Sequence, residues 1–89
     1  NDFVAQHPGN ADAYALRAEM LAADGKHALA RADYDTAIKL DGERGDLYTA
    51  RAEVLIAMDE HAAARADIGK AAALGVPQGT LQPLLKKLK

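Results

Sequence analysis

The chain has 89 residues, a formal net charge of −2 and no cysteine, which bounds it to one small domain without disulfides, thiolate metal sites or a cysteine nucleophile. Charges of both signs are interspersed, so the basic footprint of a nucleic-acid binder is missing, and no run approaches the roughly 18 apolar residues of a membrane span. Alanine accounts for 21 residues against one Phe, three Tyr and no Trp, a composition suited to helices that approach one another closely.

In chain order, residues 1–7, NDFVAQH, read as the tail of an earlier helix that stops at Pro8-Gly9. Next, Tyr14, Ala18, Leu21 and Ala22 recur at three- and four-residue steps, the spacing of a buried helical stripe. Asn10 suits the start of this helix and Gly25 the left-handed turn that ends it. A second helix is predicted from about Lys26 to Leu40, with Ala30, Tyr34, Ala37 and Ile38 on one face. Gly42 and Gly45 bracket the next connection.

Both patterns then return, from Asp46 to Met58 and from Glu60 to Leu74, with Gly75 and Pro77 as the stop. Asp59 stands in the inter-helix turn where the first copy has Gly25, which predicts strain there, because Asp tolerates a left-handed backbone less well than Gly. In the closing stretch TLQPLLKKLK, Leu81, Leu84, Leu85 and Leu88 form one stripe, with Pro83 in the first turn and Lys86, Lys87 and Lys89 outside the stripe. This reads as a capping helix. The chain opens at Asn1 without an initiator Met or signal-peptide pattern, so it reads as a segment of a longer protein whose compartment is not legible.

Aligning residues 10–43 with 44–77 gives 15 identities in 34 positions, where chance in so alanine-rich a chain gives about 3. Only six of the 15 are alanine pairs. The repeat is real. A 34-residue helix–turn–helix unit resembles the tetratricopeptide repeat, carried by AYALRAEMLAADGKHALARADYDTAIKLD and, more weakly, by LYTARAEVLIAMDEHAAARADIGKAAALG. Tyr14 and Tyr48 match the family's aromatic position, and Ala18, Ala52, Ala30, Ala64, Ala37 and Ala71 its small positions. Arg17 and Arg51 depart from its usual Leu, Ile68 from an aromatic and Gly42 from proline. The resemblance implies an all-α fold, a right-handed α-α superhelix with two full repeats (10–43 and 44–77), preceded by a helix tail (1–9) and closed by a capping helix (78–89).

Arg17 and Arg51 on the first helices recur together with Asp33 and Asp67 on the second. They form either a ladder for acidic ligands or structural ion pairs within each unit, and the repetition of both partners with the period of the fold favours the pairs. The resemblance implies that one face of the first helices lines a concave groove: Asp12, Leu16, Glu19 and Ala23, with their counterparts Asp46, Ala50, Glu53 and Ala57. Glu19 and Glu53, with Asp12 and Asp46 nearby, read either as ordinary solvated helix charges or as an acidic strip for a segment bearing Lys or Arg. The family's pocket for a free C-terminal carboxylate needs Lys, Asn and Arg on that face, where this chain has Ala, Leu and Glu.

His27 and His61 lie 34 residues apart with no third ligand nearby, and His7 stands alone. There is no phosphate-binding loop, nucleophile arrangement or metal motif, so neither catalytic residues, a cofactor nor a metal is expected. The expected function is a protein–protein interaction module that takes another protein or peptide, not nucleic acid or membrane. The alternatives are a scaffold that self-associates through its N-terminal end, and a regulatory appendage of a larger protein.

Overall fold

The computed structural model describes residues 2–88, so Asn1 of the predicted tail and Lys89 of the predicted cap lie outside the described residues. Those described form α1 (Asp2–Gln6), α2 (Ala11–Ala23), α3 (His27–Leu40), α4 (Gly45–Ala57), α5 (His61–Ala73) and α6 (Gln78–Lys86), with no strand among them. The fold is all-α. None of these helices is long and apolar enough to cross a membrane. The starts of α4 and α5 follow those of α2 and α3 by 34 residues, the offset of the sequence repeat.

Local chemistry sets the ends of the helices. The Asn10 side chain accepts hydrogen bonds from the backbone N–H groups of Asp12 at 2.9 Å and Ala13 at 3.4 Å, satisfying donors that the first turn of α2 leaves open. Gly25, Asp59 and Gly75 close α2, α4 and α5 in the same way, with φ of 77°, 60° and 97°. In each turn the next residue donates back across five positions: Lys26 N–H to Leu21 at 2.8 Å, Glu60 N–H to Leu55 at 2.8 Å and Val76 N–H to Ala71 at 3.0 Å.

Asp59 is the one non-glycine residue with positive φ among those described. Asp59→Gly is therefore expected to raise stability by about 0.5–1 kcal/mol, the relieved left-handed strain less the added freedom of the unfolded chain. For a domain this small that is a gain of roughly 4 °C in a thermal melt. A lower midpoint would mean that the Asp59–His61 contact at 3.6 Å outweighs the strain.

The core is two connected clusters, and α4 contributes to both. Ala18, Ala30, Tyr34 and Ala37 pack with Leu47 and Val54 of α4; Ala52 and Leu55 of α4 pack with Ala64, Ile68 and Ala71 of α5 and with Leu81, Leu84 and Leu88. The repeated alanine pairs Ala18/Ala52, Ala30/Ala64 and Ala37/Ala71 are all fully buried. Small side chains here let the helices approach closely, and the few large ones fill the spaces left between them. Gly45 serves the same end at the start of α4, where a Cβ would lie 2.6 Å from a Val76 methyl and 3.3 Å from the Ala71 carbonyl oxygen.

Two sequence expectations need correction. Of the stripe predicted for the first helix only Ala18 is fully covered; Tyr14, Leu21 and Ala22 are half-buried, and Ala13 is buried beside them. α2 uses its small residues for close contact and keeps its larger ones at the margins. Pro83 does not lie in a first turn, because α6 starts at Gln78, directly after Pro77. It therefore stands one turn further in, where proline removes a helical hydrogen bond and crowds the carbonyl four residues back. Burial of Leu81, Leu84 and Leu88 holds the helix in place despite that cost.

Candidate functional site

Most charged side chains on the central helices are already engaged. Arg17 donates from Nε and Nη2 to the two carboxylate oxygens of Asp33, both at 2.7 Å. Arg51 makes the same fork to Asp67 at 2.8 Å and a third bond, from Nη1 to Asp35, at 2.8 Å. Each guanidinium also lies over a tyrosine three residues earlier, 5.8 Å from the Tyr14 centroid and 5.5 Å from that of Tyr48. The hydrogen bond to Asp67 does most to push the Arg51 pKa above its ordinary value; desolvation opposes it and Asp35 reinforces it. Asp33 and Asp67 are buried. These groups tie helix to helix and are not free to hold a ligand.

Asp12 and Asp46 are engaged too, by a residue the sequence reading did not single out. Arg44, just before α4, donates to Asp12 and, through Nε and Nη2, to Asp46 at 3.2 and 2.8 Å. The Arg44 hydrogen bond is also the main reason that the Asp46 carboxyl sits below its ordinary pKa. Arg44 aligns with Asn10 in the repeat, so it has no counterpart that periodicity could have flagged. Asp35 was missed for the same reason, since the second copy has Gly69 there.

Two carboxylates are left. Among the described residues, Glu19 and Glu53 are the acidic side chains of α2–α5 that enter no ion pair. They are one repeat apart and border the same cavity of about 160 Å³, together with Ala22, His27, Tyr34, Ala50 and Val54. Tyr34, from α3, is only 3 % exposed; its hydroxyl makes no hydrogen bond among the described residues and is not fully enclosed. Burial first, and then the charges of Glu19 and Glu53, push its pKa up to about 12, so the phenol stays neutral well above physiological pH. His27 Nδ1 is buried at the margin without a hydrogen-bond partner.

Ala50 and Glu53 also border a second, mainly apolar depression of about 370 Å³, with Asp46, Thr49, Val76, Pro77 and Thr80. The structure thus brings Glu19, Ala50, Glu53 and Asp46 to one continuous region. Leu16 is half-exposed on α2, Ala23 borders a different depression with Arg17, Met20 and Asp24, and Ala57 is exposed. No group of three or more His, Cys, Asp or Glu side chains able to hold a metal ion is present among the described residues. The chain matches no protein-family model and no curated protein.

Proposed function

We propose that the chain is a protein–protein interaction module, a tetratricopeptide-like right-handed helical solenoid whose concave groove takes a basic segment of a partner. The reading is supported by the 34-residue offset shared by sequence and helix starts. The observation that carries it is the convergence of Glu19 and Glu53 on one cavity, with neither carboxylate paired within the described residues. Unpaired charge of one sign on a partly apolar floor selects partners of opposite sign more strongly than it sets raw affinity. Nothing in this reading calls for a catalytic step or a cofactor.

Isothermal titration against matched basic and acidic peptides tests it. Basic peptides are expected to bind, and the double change Glu19→Lys/Glu53→Lys to weaken them by about tenfold or more. Preference for acidic peptides, or equal affinity for the double variant, would sink the reading.

A second reading, as a scaffold stacking through its N-terminal end, has its own support. Leu16 and Met20 are 50 % and 57 % exposed. Their repeat equivalents are Ala50 and Val54, and Val54 is buried against the α2–α3 pair. The exposed face of α2 is thus the one that α4 uses for stacking. Concentration-dependent sedimentation that Met20→Lys abolishes would favour this reading over the first.

A further inference from the structure

We infer that the cavity between α2, α3 and α4 receives the side chain of a lysine from a partner protein, with its ammonium held by Glu19, Glu53 and the hydroxyl oxygen of Tyr34. The inference rests on the groove reading above and adds to it an anchoring residue and a third binding group.

Three observations carry it. Glu19 stands on α2 and Glu53 on α4, so the two carboxylates reach the cavity from different walls. Tyr34 borders the same cavity from α3, almost wholly buried, with a hydroxyl that no described residue engages. The ring is covered while the hydroxyl oxygen keeps access to solvent, since His27 Nδ1 is the one fully buried side-chain polar atom without a partner among the described residues, so the hydroxyl is open to a donor from a ligand. The lining between these polar groups is Ala22, Ala50 and Val54, short apolar side chains that leave room for a methylene stem.

The chemistry of the acceptors favours ammonium over guanidinium. A guanidinium is planar and best matched by two oxygens of a single carboxylate, which is how Asp33 meets Arg17 and Asp67 meets Arg51 in this chain. Here the acceptors come from three helices. An ammonium directs its three donors away from one another and is compact. The cavity, about 160 Å³, has space for about five waters at roughly 30 Å³ each, and a lysine side chain has as many heavy atoms. Among the described residues none of the chain's own lysines pairs with Glu19 or Glu53. The apolar depression beyond Ala50 and Glu53 would seat the residue next to that lysine.

An NMR titration of the ¹⁵N-labelled chain with the capped pentapeptide Ala-Ala-Lys-Ala-Ala tests the inference. Versions with arginine, norleucine or Nε-acetyl-lysine at the centre serve as comparisons. The lysine peptide is expected to move the signals of Ala22, Tyr34, Ala50 and Val54 and to bind about fivefold more tightly than the arginine peptide. The norleucine and acetyl-lysine peptides are expected to leave those signals in place. Tyr34→Phe, which keeps the buried ring, is expected to weaken the lysine peptide about tenfold by removing one hydrogen bond to a charged group, with the circular dichroism unchanged.

Arginine binding as well as lysine, or Tyr34→Phe binding as well as the parent chain, would overturn the lysine pocket and leave the basic-groove reading intact. Lysine-dependent shifts centred on Asp12 and Arg44 would do the same. Should no basic peptide move any signal while acidic ones do, both readings fall together. The peptide comparison uses the unaltered chain, so it decides the question even if Tyr34→Phe proves unstable.

Discussion

Arg51→Met is expected to lower the unfolding free energy by about 2–3 kcal/mol, and by more than Arg17→Met does. The guanidinium of Arg51 answers two carboxylates, Asp67 within its own helix pair and Asp35 on α3, whereas Arg17 answers Asp33 alone. Its removal leaves Asp67, 5 % exposed, as a buried charge without its partner. That penalty, more than the lost attraction, dominates such mutations. The double variant Arg51→Met/Asp67→Leu is expected to regain most of the loss, because exchanging both members for apolar groups removes the stranded charge as well. Urea unfolding of the parent, both single variants and the double variant checks this as a cycle. A loss below about 0.5 kcal/mol would put the cluster with exposed ion pairs, which contribute little.

Leu81→Ala is expected to cost about 3 kcal/mol, within the range for deleting a fully buried leucine. Leu81 is 0 % exposed and packs in the cluster of Leu55, Ile68 and Ala71. α6 is short, begins without a side-chain cap and contains Pro83, so intrinsic propensity contributes little to it. Its leucines hold it against α4 and α5. Loss of Leu81 should therefore loosen the whole helix and uncover Ile68, and thermal unfolding should show a lower midpoint together with concentration-dependent association. A cost under about 1 kcal/mol would mean that the site collapses around the smaller side chain, or that α6 contributes little to the fold.

Much of the helical layout was legible before any coordinates. Asn10, Gly25, Asp59 and Gly75 each act within a few residues of themselves, through caps and left-handed turns, and such signals survive in a single sequence. The buried alanines were legible because each recurs at an offset of 34. The same recurrence singled out the Arg17–Asp33 and Arg51–Asp67 pairs. The first-turn reading of Pro83 fails because the helix begins at Gln78, the first residue of the cap assigned to 78–89, which leaves Pro83 five positions in.

The candidate site was less legible. Glu19 and Glu53 stand among many carboxylates, and Asp12 and Asp46 recur at the same offset on the same helices. Arg44 removed those two from consideration, and no repeated pattern could have announced it. Tyr34 was assigned from spacing to the core, where its ring does lie, but spacing says nothing about whether the hydroxyl finds a partner.

By itself the sequence determined that the chain is helical, where its turns fall and which small residues sit at close helix contacts, because these depend on near neighbours and on a period visible twice. Only the tertiary structure decided which charges neutralise one another and which are left over. Arg44 reaches Asp12 across 32 positions and Arg51 reaches Asp35 across 16, pairings set by the packing of α2, α3 and α4. The two carboxylates left unpaired, and the unpartnered tyrosine hydroxyl that shares their cavity, are a product of that packing.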